Sequence, residues 1–110
     1  MSTAAPRITI LDGAMGTELR ARGASVPDYR SSAWSAMALV HDPETVRQVH
    51  SDYIAAGADV ITANNYAVVP NLLARVGMTD RLEELTRLAC QLALEARAAN
   101  RRPAVRVAGS

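Results

Sequence analysis

The first ordered pattern in the chain is apolar. Residues 7–11, RITIL, are mostly β-branched or aliphatic and predict a short buried strand that stops at Asp12-Gly13. Residues 15–22 read as a short helix ended near Gly23. The stretch 23–35, GASVPDYRSSAWS, is polar, contains Pro27, and reads as a loop with a little local structure around Trp34. A helical period then sets in after His41. Asp42 can cap, Pro43 suits the first helical position, and Glu44 favours the positive helix end. Val46, Val49, Tyr53 and Ile54 fall on one face, and Gly57 supplies the stop. ADVITA, 58–63, predicts a second strand, followed by the polar pair Asn64-Asn65. A short helix around 70–76 ends near Gly77, and a long one runs from Thr79 or Asp80 to Ala99. The long helix has an apolar face of Leu82, Leu85, Leu88, Ala89, Leu92 and Ala96, with Asp80 and Glu83 placed as a capping box. AVRVAGS, 104–110, predicts a third strand.

Strands separated by helices imply parallel pairing through right-handed crossovers. Two α/β architectures fit, an open doubly wound sheet and part of a (β/α)₈ barrel. Three strands are too few to complete either. No repeat beyond the βα rhythm and no linker interrupts the chain, so residues 1–110 are expected to form one domain.

Composition narrows the function classes. An apolar share of 49% argues against disorder. Twelve basic residues, all Arg, nearly balance 11 acids, and a net charge of +1 makes no case for nucleic acid or an anionic membrane. The start, MSTAAPR, has no apolar signal core, and no apolar run approaches the ~20 residues of a membrane span. The expected compartment is the cytoplasm. A single cysteine, Cys90, excludes an internal disulfide framework.

In parallel α/β architectures ligands sit at the carboxyl ends of the strands. Asp12 and Gly13 follow the first strand, Asn64 and Asn65 the second, and Gly109 and Ser110 end the third. Topology alone therefore gathers them on one rim. Glycine there admits close backbone approach, and an ionised Asp accepts charge-assisted hydrogen bonds from an ammonium group. By position, Asp12 is equally a turn residue that caps the following helix. Gly13-Ala14-Met15-Gly16 lacks the spacing of a phosphate loop. His41 and His50 are nine apart with no metal-ligand repeat, and His50 is expected to be a partly solvated helix residue. Cys90, among Leu88, Ala89 and Leu92, reads as a small buried hydrophobe. Trp34 reads as a plug over the barrel end or a lining of the substrate mouth.

Three segments carry a family resemblance: LDGAMGTELRARG, WSAMALVHDPETVRQVHSDYIAAGADVITANNY and the terminal VAGS. In this order and spacing, residues 7–110 resemble the N-terminal part of the homocysteine S-methyltransferase family, and Trp34-Ser35 looks most like its S-methylmethionine-dependent branch. The resemblance implies the N-terminal portion, about three βα units, of a (β/α)₈ barrel. It implies methyl transfer from a donor such as S-methylmethionine or S-adenosylmethionine to the homocysteine thiolate, giving methionine. It also implies zinc, held in the family by three cysteines on later segments. Cys90 matches none of them, so no metal ligand and no catalytic residue carries over, and no zinc is expected on this chain alone. The substrate-binding residues implied are Asp12 and Gly13, at the amino-acid end of homocysteine, and Asn64 at the mouth. About three of eight strands leave the barrel incomplete, with unpaired parallel edges. The alternatives are a truncated, non-catalytic small α/β protein, or a fragment that needs a separately encoded C-terminal remainder.

Overall fold

The computed structural model describes residues 7–24 and 34–110. The expected loop around Pro27 falls largely on residues 25–33, outside the described residues, and so does the side chain of Trp34. Strands β1 (Val60–Thr62) and β2 (Arg106–Ala108) pair in parallel, with Val60 opposite Arg106 and Thr62 opposite Ala108. Residues 7–11 run parallel along the other edge of β1, where the expected strand shrinks to one bridge between Leu11 and Val60. The reason is local. The Ile10 N–H donates to the Asp59 carboxylate at 3.0 Å instead of to a strand carbonyl, and Ile8 is 81% exposed. Between the two segments Asp59 N–H and Val60 N–H both donate to the Ile10 carbonyl, and Asp12 N–H donates to the Val60 carbonyl.

Helices occupy the connections. They are α1 (Gly16–Ala21), α2 (Met37–His41), α3 (Pro43–Ala56), α4 (Pro70–Ala74) and α5 (Leu82–Ala99). The start of α3 is as the sequence predicts: the Asp42 carboxylate accepts from Thr45 N–H, Pro43 opens the first turn, and Gly57 closes the helix at a φ of 114°. The capping box of α5 does not form. A 3₁₀ turn, Thr79–Arg81, leads into the helix, and no side chain caps it. Glu83, the expected partner of Asp80, is paired instead with Arg87 one turn along the helix. Helix α2 has no counterpart in the sequence pattern, its five residues being too few to show a period. It forms because Ala38 and Leu39 are buried against the neighbouring helices.

Helices α3 and α5 pack against each other, and residues of both meet the sheet. Ile61 and Val105 meet Ile54, Ala93 and Ala96 in one core cluster. Leu19, Leu39, Val46, Val49, Leu73, Leu85 and Ala89 form the other, gathering α1, α2 and α4 around the same helix pair. The buried stripe of α5 runs through Leu85, Ala89, Leu92, Ala93 and Ala96. Cys90, one residue and about 100° past Ala89, is consequently half-buried rather than a core residue. Among the described residues no helix is long and apolar enough to cross a membrane. The architecture is a mixed α/β domain with a parallel sheet.

Candidate functional site at the strand rim

Asp12 leaves the sheet edge with its carboxylate turned across the end of β1. One oxygen accepts from the Thr62 N–H at 2.8 Å, and the other accepts from the Thr62 hydroxyl at 3.1 Å. Helix α1 starts later, with Met15 at the cap position and no side-chain cap, so Asp12 is not a helix cap. A carboxylate offers about four acceptor directions. Thr62 uses two, and the half-buried side chain lines a cleft of about 260 Å³ with the others available.

Gly13 and Asn64 line the same cleft, so the three residues proposed from the sequence are brought together. Their surroundings differ. Asn64 is only 4% exposed and its amide donates to the Ser35 carbonyl at 3.0 Å, which ties the loop after β1 to the turn before α2. Its neighbour Asn65 accepts from the Ser110 N–H at 2.9 Å, joining the loop after β1 to the end of the third strand segment. Gly13 lies against the Tyr53 ring of α3, whose hydroxyl donates to the Ala14 carbonyl at 2.8 Å.

Sequence reasoning left Met15 and Ser35 out of the site and did not foresee what Thr62 does. Ser35 arrives from a distant part of the chain, and no local pattern signals that. Thr62 carries a usable signal: it is the only polar residue of β1, placed at the strand's carboxyl end. Tyr66, 69% exposed, stands at the mouth and presents an aromatic ring beside the polar floor.

His50 departs from expectation. It falls in phase with Val46, Val49 and Ile54 on the buried face of α3 and is 0% exposed. Among the described residues neither ring nitrogen has a hydrogen-bond partner. Burial pushes the imidazole down to about 4, against the opposing pull of the Asp12 charge, so at neutral pH it is uncharged.

Among the described residues no three His, Cys, Asp or Glu side chains gather in a way that could hold a metal ion. Cys90 lies away from the rim, in an open depression of about 510 Å³ on the face of α5 with Leu94 and Ala98. The side chains of Thr86, Arg87, Gln91 and Glu95 stand around it, and Arg87 and Gln91 are engaged with Glu83 and Glu95. The described residues by themselves therefore offer no set of three ligands for a zinc ion.

The cleft lies at the carboxyl ends of the parallel strands, where α/β folds commonly hold ligands, and one carboxylate, Asp12, stands in its lining beside Gly13 and Gly16. Residues 9–110 match the family model described as homocysteine S-methyltransferase, and the chain belongs to that family. It is 42% identical over 91 residues to the homocysteine S-methyltransferase YbgG of Bacillus subtilis, covering 82% of this chain and 28% of the relative. Homocysteine S-methyltransferase 1 of Brassica oleracea is 38% identical over 89 residues, 80% of this chain and 26% of its own. Among solved structures, the metallated form of the homocysteine methyltransferase MmuM from Escherichia coli superposes with a TM-score of 0.79 at 40% identity. That match covers 93% of this chain and 36% of MmuM. The chain thus spans about a quarter of the length of the curated relatives it matches.

Proposed function

We propose that this chain is the N-terminal portion of a homocysteine S-methyltransferase built on a (β/α)₈ barrel, in which Asp12 receives the ammonium group of homocysteine. The carrying observation is the Asp12 carboxylate: fixed on one side by the two Thr62 bonds and facing the rim cleft on the other. A carboxylate held in this way is aimed before the substrate arrives, so little order is lost on binding. Gly13 gives the substrate's amino-acid end close access to backbone. Asn64, committed to Ser35, shapes the cleft wall. In the proposed reaction the homocysteine thiolate attacks the methyl carbon of a sulfonium donor such as S-methylmethionine or S-adenosylmethionine. A new S–CH₃ bond forms as the donor S–CH₃ bond breaks, and methionine is released. Action in the cytoplasm on small soluble substrates belongs to the same proposal.

Surface exposure supports a barrel that is continued by further βα units. Ile10 is 53% and Leu11 66% exposed along the outer edge of the 7–11 segment, where a neighbouring strand and helix would cover them. The test is a chimera in which this chain replaces the matching part of MmuM. The chimera is expected to methylate homocysteine, and Asp12→Asn to raise the homocysteine KM about 10- to 100-fold through loss of a charged acceptor. A folded chimera in which Asp12→Asn leaves KM and kcat within about twofold of the parent would overturn the substrate role.

A further inference from the structure

The loop that carries Asp12 into α1 rests on one side chain of another helix. Tyr53, in the last turn but one of α3, reaches across 39 residues of sequence and donates its hydroxyl to the Ala14 carbonyl at 2.8 Å. The same ring fills the space above Gly13. A Cβ added at Gly13 would come within 2.8 Å of the Tyr53 hydroxyl and 3.2 Å of two ring carbons. Gly13 is therefore small because Tyr53 is there, and the Gly13–Ala14 backbone is held between the Asp12–Thr62 bonds on one side and the phenol on the other. A second tie holds α3 to the end of α1: the Arg22 guanidinium, just past α1, pairs with Asp52 at 2.6 Å. Burial, followed by the charges of Glu18 and Asp12, holds the Tyr53 phenol above its usual value, so it remains a donor throughout the neutral range.

We propose that Tyr53 is a positioning residue for the rim site: its hydroxyl, bonded to the Ala14 carbonyl, and its ring, seated on Gly13, set the aim of the Asp12 carboxylate toward the cleft. The functional half of this statement rests on the reading of Asp12 as the ammonium acceptor. The structural half does not. Tyr53 is not itself among the residues that line the cleft and acts through Gly13 and Ala14. Its geometry explains why this loop needs glycine at position 13 and why an aromatic alcohol follows His50 by three residues on α3.

The Thr62 amide is the reporter, because its hydrogen bond ends on the Asp12 carboxylate. Amide hydrogen exchange of the full chain, read residue by residue by NMR, compares the parent with Tyr53→Phe, Gly13→Ala and the double variant. Losing one hydrogen bond speeds local opening about two- to tenfold. Tyr53→Phe is expected to raise exchange at Thr62 by that factor and to leave the α5 amides of Ala89 and Ala93 unchanged. Gly13→Ala, which pushes the hydroxyl away from Ala14 from the opposite side, is expected to do the same. The double variant should fall short of the product of the two, since both break one contact. Exchange at Thr62 that stays at the parent rate, that rises only in step with Ala89 and Ala93, or that rises independently in the two single variants would overturn the proposal. L-Homocysteine is then titrated against the MmuM chimera carrying Tyr53 or Tyr53→Phe, with a loss of about two- to tenfold in affinity expected. If Asp12→Asn leaves homocysteine binding by the chimera unchanged, the substrate reading of Asp12 fails while the exchange data still decide the role of Tyr53.

Discussion

Acid should weaken this fold through His50, well before its carboxylates are lost. The imidazole is 0% exposed and lies at about 4, against an ordinary value of 6.5. The folded chain therefore binds the His50 proton less readily than the unfolded chain does. As pH falls below about 6.5 the unfolded state takes up a proton that the folded state refuses, so stability is at its full value above that point. It declines as pH drops and levels off only below about 4, where both states are protonated. The full displacement corresponds to about 3 kcal/mol, at about 1.4 kcal/mol per pH unit. Between pH 7 and pH 5 the loss is about 2 kcal/mol, roughly thirtyfold in the folding equilibrium. The carboxylates Asp52, Asp59 and Glu84 are held below their usual range by their hydrogen-bond donors, so their losses come at lower pH still. The assay is urea unfolding at half-unit steps from pH 7.5 to 4.5 on the parent and His50→Leu, a substitution of similar volume without the two unpaired nitrogens. The difference between the two curves cancels every other titrating group. We expect the parent to lose about 2 kcal/mol relative to the variant between pH 7 and pH 5, and the variant to be at least as stable at pH 7. Parallel stability curves for the two proteins, or an imidazole that titrates at its ordinary value in the folded chain, would refute the reasoning.

Asp12→Asn should cost the isolated chain less than about 1 kcal/mol, because the amide oxygen can still accept from the Thr62 N–H while its NH₂ donates to the Thr62 hydroxyl. Asp12→Ala loses both bonds and should cost about 2–3 kcal/mol by the same urea measurement. Asn64→Ala strands the carbonyl of buried Ser35 and should cost about 1–3 kcal/mol, read as a lowered unfolding midpoint with an unchanged slope. Gly57→Ala meets no atom within 4 Å yet must adopt a φ of 114°, so backbone strain alone should destabilise the end of α3 by about 1 kcal/mol or more. A Gly57→Ala variant as stable as the parent would show that the helix end rearranges.

Much of the candidate site was legible before any coordinates. In a parallel βα order the residues after each strand share a rim, so Asp12, Gly13 and Asn64 had to come near one another. The cleft does contain all three. What each of them holds was not legible. The partner of Asp12 is 50 residues away, and that of Asn64 is 29 residues away in a segment with no periodic signature.

Local physics is what the amino-acid order determined. The cap, proline and stop of α3, the apolar stripe of α5 and the parallel sense of the strands follow from spacing and from short-range sterics and hydrogen bonds, which need no distant partner. Tertiary structure decided everything that depends on who sits opposite. It reduced the 7–11 strand to a bridge because the Asp59 side chain captured a ladder donor. It left the α5 capping box unformed, with Glu83 paired to Arg87 one turn along the helix. It buried His50 because that residue shares the phase of Val46, Val49 and Ile54, and helix periodicity places a polar side chain in the core as readily as an apolar one when its neighbours carry the burial. It set Tyr53 against Gly13, a contact between helix and loop that exists only once α3 has packed beside the sheet.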